Sequence, residues 1–350
     1  MSVQDLKWLW KISRIVSDQE IVGVDRLRFR ETRILKRRLN YLVKGARLIG
    51  HLQPLIHPRE GSPLQRAMKQ RPELAGVVIW PYICVSWDTK TSLQRIDEHF
   101  RVIEAMGTML DFSSDKALTL LNLVDVDTDL RVVLDQPKWL IREGLFVINL
   151  FLRDVRIYSL AFSFAFEDAK IVTFIGALQG VDSEGILENY KRLTKKLHGM
   201  RPRDFLIELF RIFCRCVGVS KLYAVNDAKH LHNSSYFGKT KSRKIFQNYN
   251  GIWTERGGVQ GNEDFFVLSL ETPVKNIDEI STNKRAMYRR RYELLESLEE
   301  RMQITLKEIA ASSETSNSHA DYSAVANYGD RNMPKPRMNT GRVVVQVTDY

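Results

Sequence analysis

Cysteine is scarce in this chain: Cys84, Cys214 and Cys216 are the only three in 350 residues. So odd and sparse a set argues against a disulfide framework and for a reducing compartment. Long apolar runs are missing too. The best candidate, Gly76 to Trp87, is too short to span a bilayer and is broken by Pro81. At the N-terminus, Asp5, Lys7, Lys11 and Arg14 interrupt every apolar stretch, so it does not read as a secretory signal. A cytoplasmic protein is expected, peripheral at the inner membrane if its basic helices meet lipid. No serine-nucleophile or paired-cysteine motif is recognisable. Cys214-Arg-Cys216 and His230-Leu-His232 supply zinc-ligand residue types, but side chains two apart on a helix point in different directions, so no metal is expected there.

What is present is enough apolar material for a core, 44% of residues, and a net charge of +11. The charge is concentrated. Residues 1 to 71 hold 16 Lys or Arg against 6 Asp or Glu, which accounts for ten of the eleven net positive charges. Such asymmetry points to an acidic neighbour, either a membrane surface or nucleic acid, or else to a well-solvated helical face. Residues 5 to 17 form a short amphipathic pattern, with Leu6, Leu9, Trp10, Ile12 and Val16 opposed to Lys7, Lys11 and Arg14. A second basic helix follows, with nine basic residues and one acid from Arg26 to Arg47 and an apolar stripe of Leu35, Leu39, Leu42 and Ala46. It would track phosphates if nucleic acid were the partner, although no known reader motif accompanies it. His57 to Pro72, rich in Pro, Gly and polar residues, reads as a linker.

The expected organisation is a basic helical region over 1–75, a core over 76–275, a long charged helix over 276–311 and a disordered tail over 312–350. Within the core, Gly76 to Trp87 reads as a buried strand or strand pair, and Leu93 to Met106 as a helix. The clearest β region spans 130–178. There Leu160, Phe162, Phe164 and Phe166 alternate with Ser159, Ala161, Ser163 and Ala165, giving one bulky and one small-residue face. A strand ending at Gly180, helices over 184–217 and a strand over 220–225 make a crossover that leaves its two strands parallel. The fold class is therefore α/β (α+β), with a mixed, mainly antiparallel sheet. Gln179, Gly180, Lys195, His198, Gly199, Arg201 and Arg203 fall in or near the turns of that crossover, before a helix that opens at Pro202. Donors in front of a helix N-terminus suit an anion.

Several islands occur in order: RIDEHF, IGALQG, LTKKLHGMRPRDFLIEL, AVNDAKH, YNGIWTERGG and KRAMYRRRY. Together they resemble the blocks of the bacterial VirK/YbjX family, over roughly residues 75 to 295. That resemblance implies a part in virulence, envelope stress and resistance to cationic antimicrobial peptides; it implies no particular reaction. The order of elements is also similar to the acyl-coenzyme A-dependent N-acetyltransferase fold (GNAT-like), in which the turn after the fourth strand holds the pyrophosphate. This would make an acyl-CoA or another acyl thioester the cofactor, held by the donors named above, with an acceptor that the sequence leaves open. The helical segment Glu184 to Lys196 departs from the usual phosphate loop. Acyl transfer needs a base and an oxyanion stabiliser. His230 and Glu255 are the candidate bases, and Tyr223 or Tyr236 the candidate proton donors. Trp253 in the WTERGG block, and Arg285, Arg289 and Tyr292 at i, i+4, i+7 of KRAMYRRRY, are candidate site-lining residues.

Overall fold

The alternating segment becomes the centre of an eight-stranded sheet in a computed structural model of the protein, which describes residues 1–18, 30–237 and 248–315. Five strands run as an antiparallel meander: β1 (Leu118–Asn122), β2 (Leu130–Asp135), β3 (Phe146–Leu152), β4 (Val155–Glu167) and β5 (Lys170–Gly180). The chain then crosses over through α6 (Ile186–Lys196) and α7 (Pro202–Cys216) to β6 (Lys221–Val225), which pairs parallel with β5 as the sequence requires. The hairpin β7 (Val259–Gln260) and β8 (Phe265–Leu268) closes the edge antiparallel to β6. The bulky face of β4 receives α7, with the ring of Phe162 4.7 Å from that of Phe210 and 5.9 Å from that of Phe213. Beyond the last β3–β4 pair, α5 (Thr89–Ala105) takes over: the N–H of Phe164 donates to His99 Nδ1 at 3.1 Å.

Before the sheet lie α1 (Val3–Asp18), α2 (Arg30–Arg47), α3 (Ile49–Ile56) and α4 (Pro63–Gln70). Helices α1 and α2 run antiparallel and meet closely where Gly45 faces Leu9; a Cβ there would lie 2.7 Å from Leu Cδ2. That approach decides the rotation of α2. Tyr41 and Gly45 turn inward, Leu35 and Leu39 are exposed, and the expected apolar stripe is therefore not the buried one. Two other readings also change. The expected linker contains α4, started by Pro63 and capped by Ser62, whose Oγ accepts from the N–H of Gln65. The apolar run after Pro72 is a 3-10 helix, Pro72–Val78, followed by an isolated Tyr82–Cys84 bridge. Its residues are apolar because they are buried, and Gly76 lies under the Trp80 ring, where any Cβ would clash. β1, unmarked in the sequence, is a short edge strand.

After α8 (Tyr249–Glu255) and the closing hairpin, the long helix α9 (Thr282–Thr315) lies along α7 and β1, with Leu295, Leu298, Met302 and Leu306 inward. The Arg215–Glu299 pair fixes it to α7 and the Arg301–Asp125 pair to the turn after β1. One buried cluster runs from Leu9 through the sheet to Leu306. The GRVVVQV segment, the 312–350 tail beyond Thr315 and part of the polar 229–244 loop lie outside the described residues.

Candidate functional site

β5 and β6 pair only from Val172↔Lys221 to Ile175↔Ala224, although β5 continues to Gly180. The strands therefore part, and their inward N–H and C=O groups need other partners. Two side chains of α8 supply them. The Tyr249 hydroxyl accepts from the N–H of Leu178 at 3.2 Å and donates to its carbonyl at 3.3 Å; Trp253 Nε1 donates to the Val225 carbonyl at 2.9 Å. His230 stacks on Tyr249 with ring centroids 4.7 Å apart. In this fold the wedge between the parallel strands is filled by the protein's own aromatic rings.

His230 is only 2% exposed, and burial, with His232 beside it, pushes its pKa down to about 3. Its Nδ1 accepts from the N–H of His232, which leaves the ring neutral and held. Close to Tyr249, Glu143 is buried with Oε2 lacking a hydrogen-bond partner, and burial raises its pKa to about 7. Tyr223 sits elsewhere on the sheet: its hydroxyl donates to both oxygens of Glu167, and burial followed by that carboxylate raises its pKa. Tyr236 pairs with Arg37 of α2. His230, Tyr223 and Glu255 are thus not brought together.

A cavity of about 270 Å³ opens instead at the start of α7. It is formed because α6 ends in two left-handed residues, His198 and Gly199, with φ of 51° and 78°. Arg201 then stands at the N-cap position in extended conformation, Pro202 occupies the first turn, and no side chain caps the helix. The first N–H groups of α7 and the positive end of its dipole therefore face the opening. Arg201, Arg256 and Arg291 line it together with Gly199, Asp204, Glu255 and Tyr288.

The charges are only partly balanced. Arg203 donates to Asp204 and Glu255 at 2.8 and 2.7 Å; burial works against its charge, but the two carboxylates hold its pKa above the ordinary value. Arg256 lies 3.8 Å from Asp204, and its Nε is buried with no hydrogen bond. Arg291 lies over the Tyr288 ring at 4.4 Å and donates to the His198 carbonyl at 2.8 and 3.3 Å, so His198 contributes its backbone rather than its ring. Among the described residues neither Arg201 nor Arg291 has an acidic partner. The result is a hollow lined by three arginines and two carboxylates, with a net positive balance of hydrogen-bond donors that suits phosphate or carboxylate.

Of the residues singled out in the sequence, Gly199, Arg201 and Glu255 line this cavity and Arg203 stands at its edge through Glu255. Gly180 packs on Tyr158, whose hydroxyl lies within the field of Arg203 and Arg201. Gln179 pairs with Ser159 in the sheet, and Lys195 is exposed on α6. Trp253 is fully buried in the wedge. Arg285 donates to the carbonyls of Ile280 and Asp278, Arg289 is exposed, and Tyr292 Oη accepts from the N–H of Lys275; the expected stripe does not reach the cavity. The adjoining face of that helix does, through Tyr288 and Arg291. Docking of α9 on α7 turns Arg291 toward the cavity. Arg256, inside the YNGIWTERGG block and next to Glu255, is a cavity donor that the sequence reading missed. Among the described residues, no group of three or more His, Cys, Asp or Glu is placed to hold a metal, and no helix is long and apolar enough to cross a membrane.

The chain is 33% identical over 144 residues to the uncharacterized protein YbjX of Escherichia coli (strain K12), covering 41% of this chain and 43% of that protein. It is also 32% identical over 176 residues to an uncharacterized protein of Haemophilus influenzae, covering 50% of this chain and 55% of that one. The alignments thus span about half the length of these curated relatives. No solved structure matches. A family model described as protein of unknown function (DUF535) matches residues 30–304, and the chain belongs to that family, to which the YbjX resemblance had pointed.

Proposed function

We propose that the protein binds a phosphate-bearing anionic ligand in the arginine cavity, with an acyl thioester of the coenzyme A type as the donor to test first. The observation that carries this is the convergence of Arg201 and Arg291, both without acidic partners among the described residues, on the N-terminus of α7, where no side chain among the described residues makes a capping hydrogen bond. About 270 Å³ accommodates a pyrophosphate head but not a whole coenzyme, so the rest of such a ligand lies along the outer surface. If acyl transfer takes place, Glu255 is the one candidate base at the cavity. His230 is locked away between the strands, and Tyr223 is held by Glu167. A role in envelope stress, virulence or antimicrobial-peptide resistance follows from the VirK/YbjX resemblance and forms part of the same proposal.

The test is a thermal-shift series with pyrophosphate, coenzyme A and acyl-coenzyme A species. Each is expected to raise the melting temperature of the wild type, and Arg201→Ala combined with Arg291→Ala is expected to abolish the rise. No shift with any of these ligands refutes the phosphate site. Equal shifts with all three, and no acyl product by mass spectrometry, refute the acyl donor while leaving the anion site standing. If transfer occurs, Glu255→Gln should slow it without loss of the thermal shift.

A further inference from the structure

The outward faces of the first two helices have a composition that the fold does not require. On α1 the exposed residues include Val3, Leu6 and Trp10 at i, i+3, i+7, flanked by Lys7, Lys11 and Arg14. On α2 they include Leu35, Leu39 and Val43 at i, i+4, i+8, flanked by Lys36, Lys44 and Arg47. Trp10 is 55% exposed, Leu35 67% and Leu39 61%. Single exposed apolar residues need no explanation, but a row with basic borders on each of two packed helices does. The core is served by other positions: Leu9, Ile12, Val16 and Tyr41 are buried. Among the described side chains, neither outward face carries an acid, because Asp5 turns in toward His57 at 3.2 Å.

We propose that α1 and α2 form a docking face for an anionic bilayer leaflet. Leu6, Trp10, Leu35 and Leu39 enter the boundary between headgroups and acyl chains, and the lysines and arginines lie against lipid phosphates. The helices, roughly 24 and 27 Å long, pack antiparallel and lie flat on such a surface. Charge complementarity alone suits nucleic acid equally well, but exposed leucines and a tryptophan between the basic residues gain nothing from a phosphate backbone and gain directly from hydrocarbon. This surface is independent of the arginine cavity.

Flotation of the purified full chain with vesicles of phosphatidylcholine, alone or mixed with phosphatidylglycerol, tests it. The wild type is expected to float with the anionic mixture only, and less as salt rises. Replacing Lys7, Lys11 and Arg14 by Ala should lower partitioning about 100-fold, at about fivefold per basic residue near the surface. Leu35→Ser with Leu39→Ser should weaken flotation at every salt concentration, with only a small change in the thermal melt because both side chains are mostly exposed. Trp10 should give a blue shift in emission on anionic vesicles that Trp10→Phe removes. Failure of the wild type to float at low salt overturns the proposal without recourse to any variant. So does vesicle binding indifferent to the leucine changes alongside tighter, equally salt-sensitive binding to a short DNA duplex, which assigns the face to nucleic acid.

Discussion

Arg211→Met is the sharpest test of how α7 is held in place. Arg211 and Glu208 lie three residues apart on that helix, with side chains 0% and 3% exposed. Arg211 Nη1 donates to Glu208 Oε1 at 2.8 Å and Nη2 donates to the Arg256 carbonyl at 2.5 Å; Thr272 donates to the other Glu208 oxygen at 2.7 Å. Removing the guanidinium leaves a carboxylate in the interior with one hydroxyl for company. Breaking a buried pair in this way costs about 3–5 kcal/mol. Replacing both members with apolar side chains of similar size is often neutral or better, so Arg211→Met with Glu208→Met should recover most of the loss. Urea unfolding followed by tryptophan fluorescence, with equal m values across the set, measures both. A further consequence separates packing from function. Because Arg211 anchors the backbone of Arg256, the double variant should regain stability yet respond less to pyrophosphate than the wild type. If the single variant loses less than about 1 kcal/mol, or the double is as unstable as the single, the reasoning about a desolvated charge is wrong.

Two further outcomes follow from the interior. Burial raises the Glu143 pKa from 4.5 to about 7, so between those values the folded state holds a proton that the unfolded state gives up; its contribution is complete below about pH 4.5 and lost as pH rises through 7. Glu143→Gln should therefore raise stability at pH 8 by an amount on the order of 3 kcal/mol and change little at pH 4.5, as read from urea midpoints. Burial pushes His99 and His230 the other way, to about 3, so their contribution is complete above 6.5 and lost toward pH 3, and acid unfolding should begin with a loss of stability below pH 6.5. In β5, Gly176→Ala would place a Cβ 2.0 Å from the Glu143 carbonyl oxygen. Since backbone must move, a loss of about 1–3 kcal/mol is expected, whereas Gly50→Ala, with nothing within 4 Å, should be neutral or stabilising; equal melting temperatures for the two would refute the contact.

The strand-helix-strand crossover was legible because its pattern is local. A period of two in β4, helical spacing of Phe205, Leu206, Leu209, Phe210 and Phe213, and a Pro at the helix start each have one cheap solution. The site was legible only where donors stand next to a helix terminus, as Gly199 and Arg201 do. Arg291 and Tyr288 were not legible because periodicity tells which residues share a helix face but not which way the helix is turned. His230 read as a base because its residue type suits catalysis; it is a packing residue because Tyr249 and Trp253 arrive from a segment some twenty residues later and seal the gap between β5 and β6.

By itself, the sequence determined the class of fold, the parallel pair in a mainly antiparallel sheet and the concentration of positive charge before residue 72. These follow from side-chain alternation, from chain connectivity and from simple counting. Only the tertiary structure decided that the parting strands enclose aromatic rings, that the cationic hollow lies at the start of α7, and that Leu35 and Leu39 look outward. Each of those depends on how two distant elements rotate to bury apolar surface while pairing most buried polar groups, a competition that no single segment contains.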